Sequence, residues 1–167
     1  MNVTEAFEEY MIQLATELKL IGHTTNQKRF GTYTMAALAS DAKLDLDLHK
    51  FCIIQIKPEG RFRRNPGSGQ TSLNYETGFY VMKNSKTGGT DFDLIQREAE
   101  KLVHKLWARI LNDWNDNHVL LRGLQTENVD FPFVYGMGNG SAFGCECSFK
   151  LFGQFNRTNL IIPEDWN

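Results

Sequence analysis

A long amphipathic segment, residues 91–114, is the sequence feature that most constrains the fold. Apolar side chains recur there at spacings of three and four, the period of one helix face. The stripe consists of Ile95, Ala99, Leu102, Leu106, Ile110 and Trp114, and is widened by Leu94, Val103, Trp107 and Leu111. Thr90 is the expected N-cap, and Asp91 and Asp93 place negative charge in the first turn, where the helix dipole favours it. A helix this long with one broad apolar face must lie against other elements.

The composition fits one folded domain with a weakly basic middle. Of 167 residues, 41% are hydrophobic and 12% aromatic, which is enough to bury a core. The formal net charge of −2 hides an asymmetry, since residues 43–86 carry a net +4 and residues 87–167 a net −4. The basic middle is compatible with nucleic acid or with an acidic protein partner, but it is far weaker than the face of a dedicated DNA-binding protein.

The sequence predicts an intracellular, soluble protein with reduced thiols. The N-terminus has neither the basic start nor the apolar run of a secretory signal, and no stretch approaches the roughly 18 apolar residues that a membrane span needs. Cys52, Cys145 and Cys147 form no even disulfide framework. We therefore expect no membrane association.

A further helix and a strand pair are predicted before the long helix. Residues 4–20 have helical spacing, and Gly22 stands where this helix would stop. Residues 51–56 are rich in β-branched side chains and predict a strand that runs into a turn or a bulge at residues 58–60. Residues 61–70 are polar and glycine-rich and predict a loop, and residues 75–82 predict the returning strand. Together these segments predict a protruding hairpin.

The last part of the chain predicts a second strand pair. Residues 129–135 and 142–152 read as strands around a glycine-rich turn. The element order α-β-β-α-β-β indicates an α+β domain over residues 1–153, with a four-stranded, mainly antiparallel sheet and the long helix on one face. The other face is open to a partner, or is covered by the first helix and by residues 31–49, whose signals are mixed. Residues 154–167 are expected to form a tail that either packs back on the core or reaches a neighbouring subunit.

Neither the glycines nor the cysteines predict a bound group. The glycine run at residues 136–140 leads into a strand rather than a helix, so turn glycines explain it better than a phosphate cradle. Cys145 and Cys147 share one face of a predicted strand, with Cys52 on an expected adjacent strand. The cysteines and histidines do not have the spacing of a zinc site, so we expect the three cysteines to act as small buried hydrophobic residues. We predict no metal and no cofactor.

The polar residues do not predict catalysis either. The histidines fall in four different segments: His23, His49, His104 and His118. Ser141 is not in a nucleophile elbow, and the acidic pair Asp45 and Asp47 is typical of a solvated face. We predict no catalytic residues and no enzyme activity; an uncharacterised small-molecule-binding or enzymatic domain is the remaining alternative.

The strongest local signal is the run Arg61, Phe62, Arg63 and Arg64. Guanidinium groups pair with phosphates and an aromatic ring can stack on a base, so these residues are candidates for contact with nucleic acid. Three arginines are few for that purpose. The preferred interpretation is a solvated hairpin end, or a hairpin that grips acidic residues of a partner protein.

The predicted element order, closing with Cys145-Glu146-Cys147-Ser148-Phe149-Lys150-Leu151, resembles the tail-terminator and tail-completion (head–tail joining) proteins of long-tailed phages and prophages. Such proteins are small subunits, without enzyme activity or cofactor, that form a ring, commonly a hexamer, and join the tail tube to the head. The resemblance implies self-association, contacts with other tail or head-completion proteins, and a location in the bacterial cytoplasm or in the tail or neck of the virion. Residues 61–70 would then project towards the ring lumen or an adjoining ring.

Overall fold

A computed structural model of the chain describes residues 3–39, 44–64, 71–86, 90–137 and 141–154. The helices in these ranges are α1 (Val3–Glu17), α2 (Met35–Ala39) and α3 (Phe92–Asn115), followed by a 3-10 turn at Val119–Leu121. The strands are β1 (Phe30–Tyr33), β2 (Cys52–Arg64), β3 (Thr71–Asn84), β4 (Leu124–Asp130), β5 (Phe133–Gly136) and β6 (Ala142–Gln154). The fold is α+β, with α3 packed on a mixed, mostly antiparallel sheet.

The sheet has the strand order β1-β2-β3-β6-β4, and β5 also pairs with β6. β1 runs parallel to β2, and the other pairs are antiparallel. The predicted four-stranded sheet is therefore wrong in strand number, because the described residues form six strands. β1 and α2 enter the element order between α1 and β2. The predicted strand at residues 129–135 is two strands, because regular pairing with β6 is interrupted at Phe131 and Pro132. Proline cannot donate to a ladder, although its carbonyl oxygen here accepts a hydrogen bond from the Glu146 backbone N–H.

The β2–β3 hairpin is longer than the sequence predicted. Of the two alternatives predicted for Pro58-Glu59-Gly60, the structure shows the bulge, since the strand register shifts between Ile56 and Glu59 and pairing then resumes. The predicted loop is therefore wrong for its first four residues: Arg61 to Arg64 lie in β2, and β3 already begins at Thr71. Residues 65–70 lie outside the described residues.

Both α1 and α3 pack on one face of the sheet, which we call the helix face. The side chains of the central strands alternate across the sheet, so every second residue meets the helices. The core here includes Phe7, Met11, Leu14, Ile53, Phe79, Val81, Val103, Leu106, Cys145, Cys147, Phe149 and Leu151. Ile95, Ala99, Leu102, Leu106 and Ile110 of the predicted stripe are all buried, which confirms the face assigned to the long helix. Leu94 is the exception, since it is 60% exposed and does not widen the buried face.

The helix ends differ slightly from the prediction. α1 ends at Glu17 rather than at residue 20, and the chain turns at Gly22, whose φ of +59° is a left-handed conformation that glycine adopts without strain. α3 begins at Phe92 with Asp91 at the N-cap position, so the expected Thr90 cap is wrong. Asp91 instead accepts a hydrogen bond from the Ser85 hydroxyl, which joins the end of β3 to the start of α3.

A polar contact fastens α1 to α3 at the rim of the helix face. The Tyr10 hydroxyl donates to Asp113 Oδ2 at 2.8 Å, and Arg109 Nε donates to the same carboxylate at 2.9 and 3.1 Å. Arg109 also lies 3.1 Å from Glu17. Burial, followed by the hydrogen bond and charge of Asp113, raises the pKa of Tyr10 above its usual value.

The opposite sheet face is only partly covered. Leu38, Leu44 and Leu48, from α2 and the chain after it, pack on Cys52, Ile54, Tyr80 and Met82. Residues 31–49 thus do cover part of this face, whereas α1 does not, because it shares the helix face with α3. None of the described residues covers the rest of the second face. β6 continues to Gln154, and residues 155–167 of the predicted tail lie outside the described residues.

Candidate functional site

The uncovered part of the second sheet face forms a groove of about 510 Å³, which we call the acidic groove. Its lining includes the carboxylates Glu59, Glu76, Glu127, Asp130 and Glu146, and the basic residues Arg61 and Lys150. Five acidic groups face two basic groups, so the groove is negatively charged at neutral pH.

Strand register places these side chains together. Glu59 pairs with Glu76, Glu76 with Lys150, and Lys150 with Gln125, which makes one row across β2, β3, β6 and β4. Because side chains alternate between the faces of a strand, residues two positions away join the same surface. The groove is therefore a property of the assembled sheet.

The ion pairs of the groove leave part of its charge uncompensated. Arg61 Nη1 lies 3.6 Å from Glu76, and Lys150 Nζ lies 3.8 Å from the same carboxylate. Both contacts are substantially exposed, so each contributes little to stability. The carboxylates of Glu127 and Asp130, on the edge strand β4, are outside the ion pairs found in the described part of the chain, and both residues are exposed.

Glu146 lies where the groove meets the covered part of the face. Its carboxylate accepts a hydrogen bond from the Ser148 hydroxyl on the same strand. Burial, followed by the nearby charge and hydrogen bond of Glu146, raises the pKa of Tyr80 to about 12. The Tyr80 hydroxyl also lies 3.9 Å from the sulfur of Met35, which lines the groove from α2. Tyr80 stays neutral at physiological pH.

The predicted contact residues lie at the β2 end of the groove. Arg61 is in its lining, with two-thirds of its side chain exposed, and pairs in register with Asn74. Phe62, Arg63 and Arg64 continue β2 opposite Leu73, Ser72 and Thr71; their side chains lie outside the described residues. The four residues thus form part of a paired strand, and one of them belongs to the groove.

A second surface lies at the sheet edge beside the start of α3. Tyr135 is 64% exposed and Phe133 is 41% exposed, on the short edge strand β5. The Phe92 ring lies 6.4 Å from the Tyr135 ring and 6.0 Å from that of Phe143, centroid to centroid. We call Phe92, Phe133, Tyr135 and Phe143 the aromatic patch. Exposed aromatic rings grouped in this way are typical of protein–protein contact sites.

The cysteines are buried, as the sequence predicted. Cys145 and Cys147 lie in the core of the helix face. Cys52 lies on the opposite face, and β3 separates its strand from β6, so the expectation that it neighbours the other two on an adjacent strand is wrong. Burial raises the pKa of Cys52 to about 12 and of Cys145 to about 11, and raises the pKa of Cys147 above its usual range.

All three thiols should therefore be inert in the folded protein. A raised pKa removes the reactive thiolate near pH 8, and burial blocks access to the sulfur. We expect reaction with a thiol reagent such as Ellman's reagent to be slower by a factor on the order of 10³ in the native than in the urea-unfolded protein, because only opened molecules react. After unfolding, 3 thiols should titrate. A cysteine that reacted at the unfolded rate in native protein would contradict the burial of its side chain.

The histidines serve as packing groups where ring contacts are found. His104 meets Phe131 edge-on with centroids 5.0 Å apart, and His118 lies 5.2 Å from the Tyr10 ring. Burial lowers the pKa of His23, which lies beside Phe30. In the described ranges, no group of three or more His, Cys, Asp or Glu side chains is arranged to hold a metal ion.

The glycine run begins at the end of an edge strand. Gly136 ends β5 with a φ of +67°, in keeping with a turn glycine, while residues 138–140 of the run lie outside the described residues. No helix within the described ranges is long and apolar enough to cross a membrane.

Arg61 was predicted from the sequence as a contact residue, but the acidic groove to which it belongs was not predicted. A signal was present in the alternation Glu146-x-Ser148-x-Lys150 within an apolar strand, which marks a polar sheet face. No protein-family model matches the chain, and a comparison with curated proteins found no match either.

Proposed function

We propose that this chain is a structural, non-enzymatic subunit that assembles with copies of itself into a ring, as the tail terminator or head–tail connector of a phage or prophage. Six subunits and contacts with further tail or head-completion proteins are what the family resemblance implies. The aromatic patch is the observation that carries the proposal. Its most exposed members, Phe133 and Tyr135, lie on an edge strand, where a neighbouring chain has direct access.

The energetic reason is the cost of leaving this patch in water. Burying an aromatic side chain stabilises a contact by about 1.5–3 kcal/mol, and aromatic anchors at the centre of an interface contribute most of its free energy. A subunit of an assembly gains this energy on association. The exposed rings lie on an edge of the sheet, since β5 pairs only with β6 among the described strands.

The arrangement of the core supports the same proposal. Both long helices lie on the helix face, so α1 and α3 leave the sheet edges and the acidic groove available for contacts between subunits. The elements on which the resemblance rests are present in the described residues in the predicted order: α1, the β2–β3 hairpin, α3 and the closing strands. β1 and α2 are additions to that order.

Solution mass by light scattering, with negative-stain images, tests the proposal. The unmodified protein should form a closed multimer of defined mass. Tyr135→Glu should raise the dissociation constant of this multimer at least about tenfold, because it places a charge where an apolar contact forms. Leu20→Glu is the matched control, since Leu20 is 59% exposed, close to the 64% of Tyr135, but lies outside the patch.

The competing functions give different results. A protein that stays monomeric at high concentration and low salt would overturn the proposal. The nucleic-acid alternative requires DNA binding that weakens with salt and is lost in the triple variant Arg61→Ala, Arg63→Ala and Arg64→Ala. The carboxylates around Arg61 are unfavourable for phosphate contacts, so we expect no DNA binding through this face.

A further inference from the structure

We propose that the acidic groove receives the basic end of the β2–β3 hairpin of a second copy of this chain, so that the subunits associate head to tail. This inference rests on the proposed function and names the contact by which the ring would form. The aromatic patch supplies apolar area in that proposal, whereas the groove and the hairpin determine which surfaces meet.

The two surfaces have opposite charge. Beyond Arg61, which belongs to the groove, the hairpin contains two further arginines, Arg63 and Arg64, and no acidic residue before Glu76. The groove has five carboxylates and two basic groups. Complementary potentials of this kind steer association and set the register of the partners, while like charges exclude other pairings. Each copy therefore carries both halves of a charge-complementary contact.

Arg64 is too far along its own strand to neutralise the groove of its own chain. It pairs in register with Thr71, five residues beyond the pair of Glu59 with Glu76, which is about 17 Å at the rise of a β-strand. The strands are paired throughout this stretch, which keeps the backbone of Arg64 at this distance from the groove.

The groove likewise retains carboxylates that are outside the ion pairs found among the described residues. Arg61 pairs with Glu76 on the neighbouring strand. Glu127 and Asp130 lie on β4, three strands from β2, which is about 14 Å at the spacing of strands in a sheet. These two exposed carboxylates are the part of the groove that a cationic segment of a second copy would meet first.

A contact between two different surfaces of identical chains is heterologous, and such contacts close into rings when the rotation between copies permits. A segment from an unrelated basic protein would fit the groove by charge alone. The second copy is favoured because the complementary segment is part of every molecule and its concentration equals that of the groove.

The test is a charge exchange between the two surfaces. The groove variant carries Glu127→Lys and Asp130→Lys; the hairpin variant carries Arg63→Glu and Arg64→Glu. Each alone should raise the dissociation constant of the multimer at least about tenfold. An equimolar mixture should assemble again, to within about threefold of the unmodified protein, because reversed hairpins meet reversed grooves and natural hairpins meet natural grooves. Assembly should also weaken as salt is raised from about 0.05 to about 0.5 M, because the Debye length then falls from roughly 14 to roughly 4 Å.

Matched controls reverse two exposed charges elsewhere. Glu5→Lys with Glu9→Lys on α1, and Arg97→Glu with Lys101→Glu on α3, should leave the dissociation constant within about threefold. Circular dichroism and the melting temperature of every variant establish that it is folded.

The outcomes of the charge exchange distinguish the proposed contact from the proposed ring. If the unmodified protein assembles and the charge variants assemble equally well, the inference is overturned while the proposed ring stands. If both variants fail to assemble and the mixture does not recover, the two surfaces do not meet, and the inference is again overturned. A monomeric unmodified protein overturns the proposed function together with this contact.

Discussion

Gly144→Ala is expected to lower the free energy of unfolding by about 3 kcal/mol or more, because the added methyl group has no space. A Cβ at this position would lie 2.0 Å from the backbone oxygen of Val81 and 3.0 Å from the Cα of Met82. Both atoms belong to the backbone of β3, which is held between β2 and β6 and cannot rotate away as a side chain would. Relief of the clash would require two of the longest paired strands of the sheet to separate.

Gly60→Ala is the control for this substitution. There the nearest atoms to the new Cβ are side-chain carbons of Tyr75 at 3.1 Å and Leu73 at 3.2 Å, which can move by small rotations. Urea unfolding followed by circular dichroism measures the free energy of unfolding of the unmodified protein and of the two variants. We expect Gly60→Ala to change the free energy of unfolding by less than about 1 kcal/mol. Equal costs for the two substitutions would show that β3 and β6 do not approach as closely as these distances require.

The sequence predicted the structure best where a single element shows a long, regular apolar period. The long helix was predicted at residues 91–114 and found at Phe92–Asn115, because its apolar period repeats over about six turns and depends on no other segment. Its N-cap was misplaced by one residue. Asp91, which stands at that position, accepts a hydrogen bond from Ser85 at the end of β3, and such a tertiary contact is not visible in the chain order.

Prediction failed where tertiary pairing overrides local signals. Proline followed closely by glycine usually ends a strand. β2 nevertheless continues past Pro58, because a bulge accommodates the proline and pairing with β3 resumes at Glu59. β1, four residues long, is stabilised by parallel pairing with β2 and by burial of Phe30, neither of which a short window can reveal.

The candidate site, too, was predicted only where one segment carries the whole signal. The arginines of β2 were found because adjacent charges are visible in the sequence itself. The acidic groove was not, because Glu59, Glu76 and Glu146 are brought together only when β2, β3 and β6 pair in the observed register. A surface made by several strands is a product of topology, whereas each strand alone shows only its own alternation.

Phe149 is the residue whose loss should most weaken the core of the helix face. It is 4% exposed, on β6, and its ring lies 5.8 Å from Phe7 of α1, 6.4 Å from Phe79 of β3 and 5.4 Å from Trp107 of α3, centroid to centroid. One side chain therefore joins the sheet to both helices. Two of its contacts are edge-on, an arrangement that adds about 0.5–1.5 kcal/mol each beyond the burial of area.

Phe149→Ala should lower the free energy of unfolding by about 3–5 kcal/mol, the range for removing a buried aromatic ring and leaving a cavity. Phe149→Leu, which fills most of the space, should cost less than about 2 kcal/mol. Phe133→Ala is the matched control, because Phe133 is the same residue type on an adjacent strand but is 41% exposed, and its loss should cost less than about 1 kcal/mol in the isolated subunit. Chemical unfolding of monomeric protein at low concentration measures all three. A cost for Phe149→Ala no greater than that of Phe133→Ala would contradict the packing of α1 and α3 on one face, since the contact that joins them through β6 would then contribute nothing.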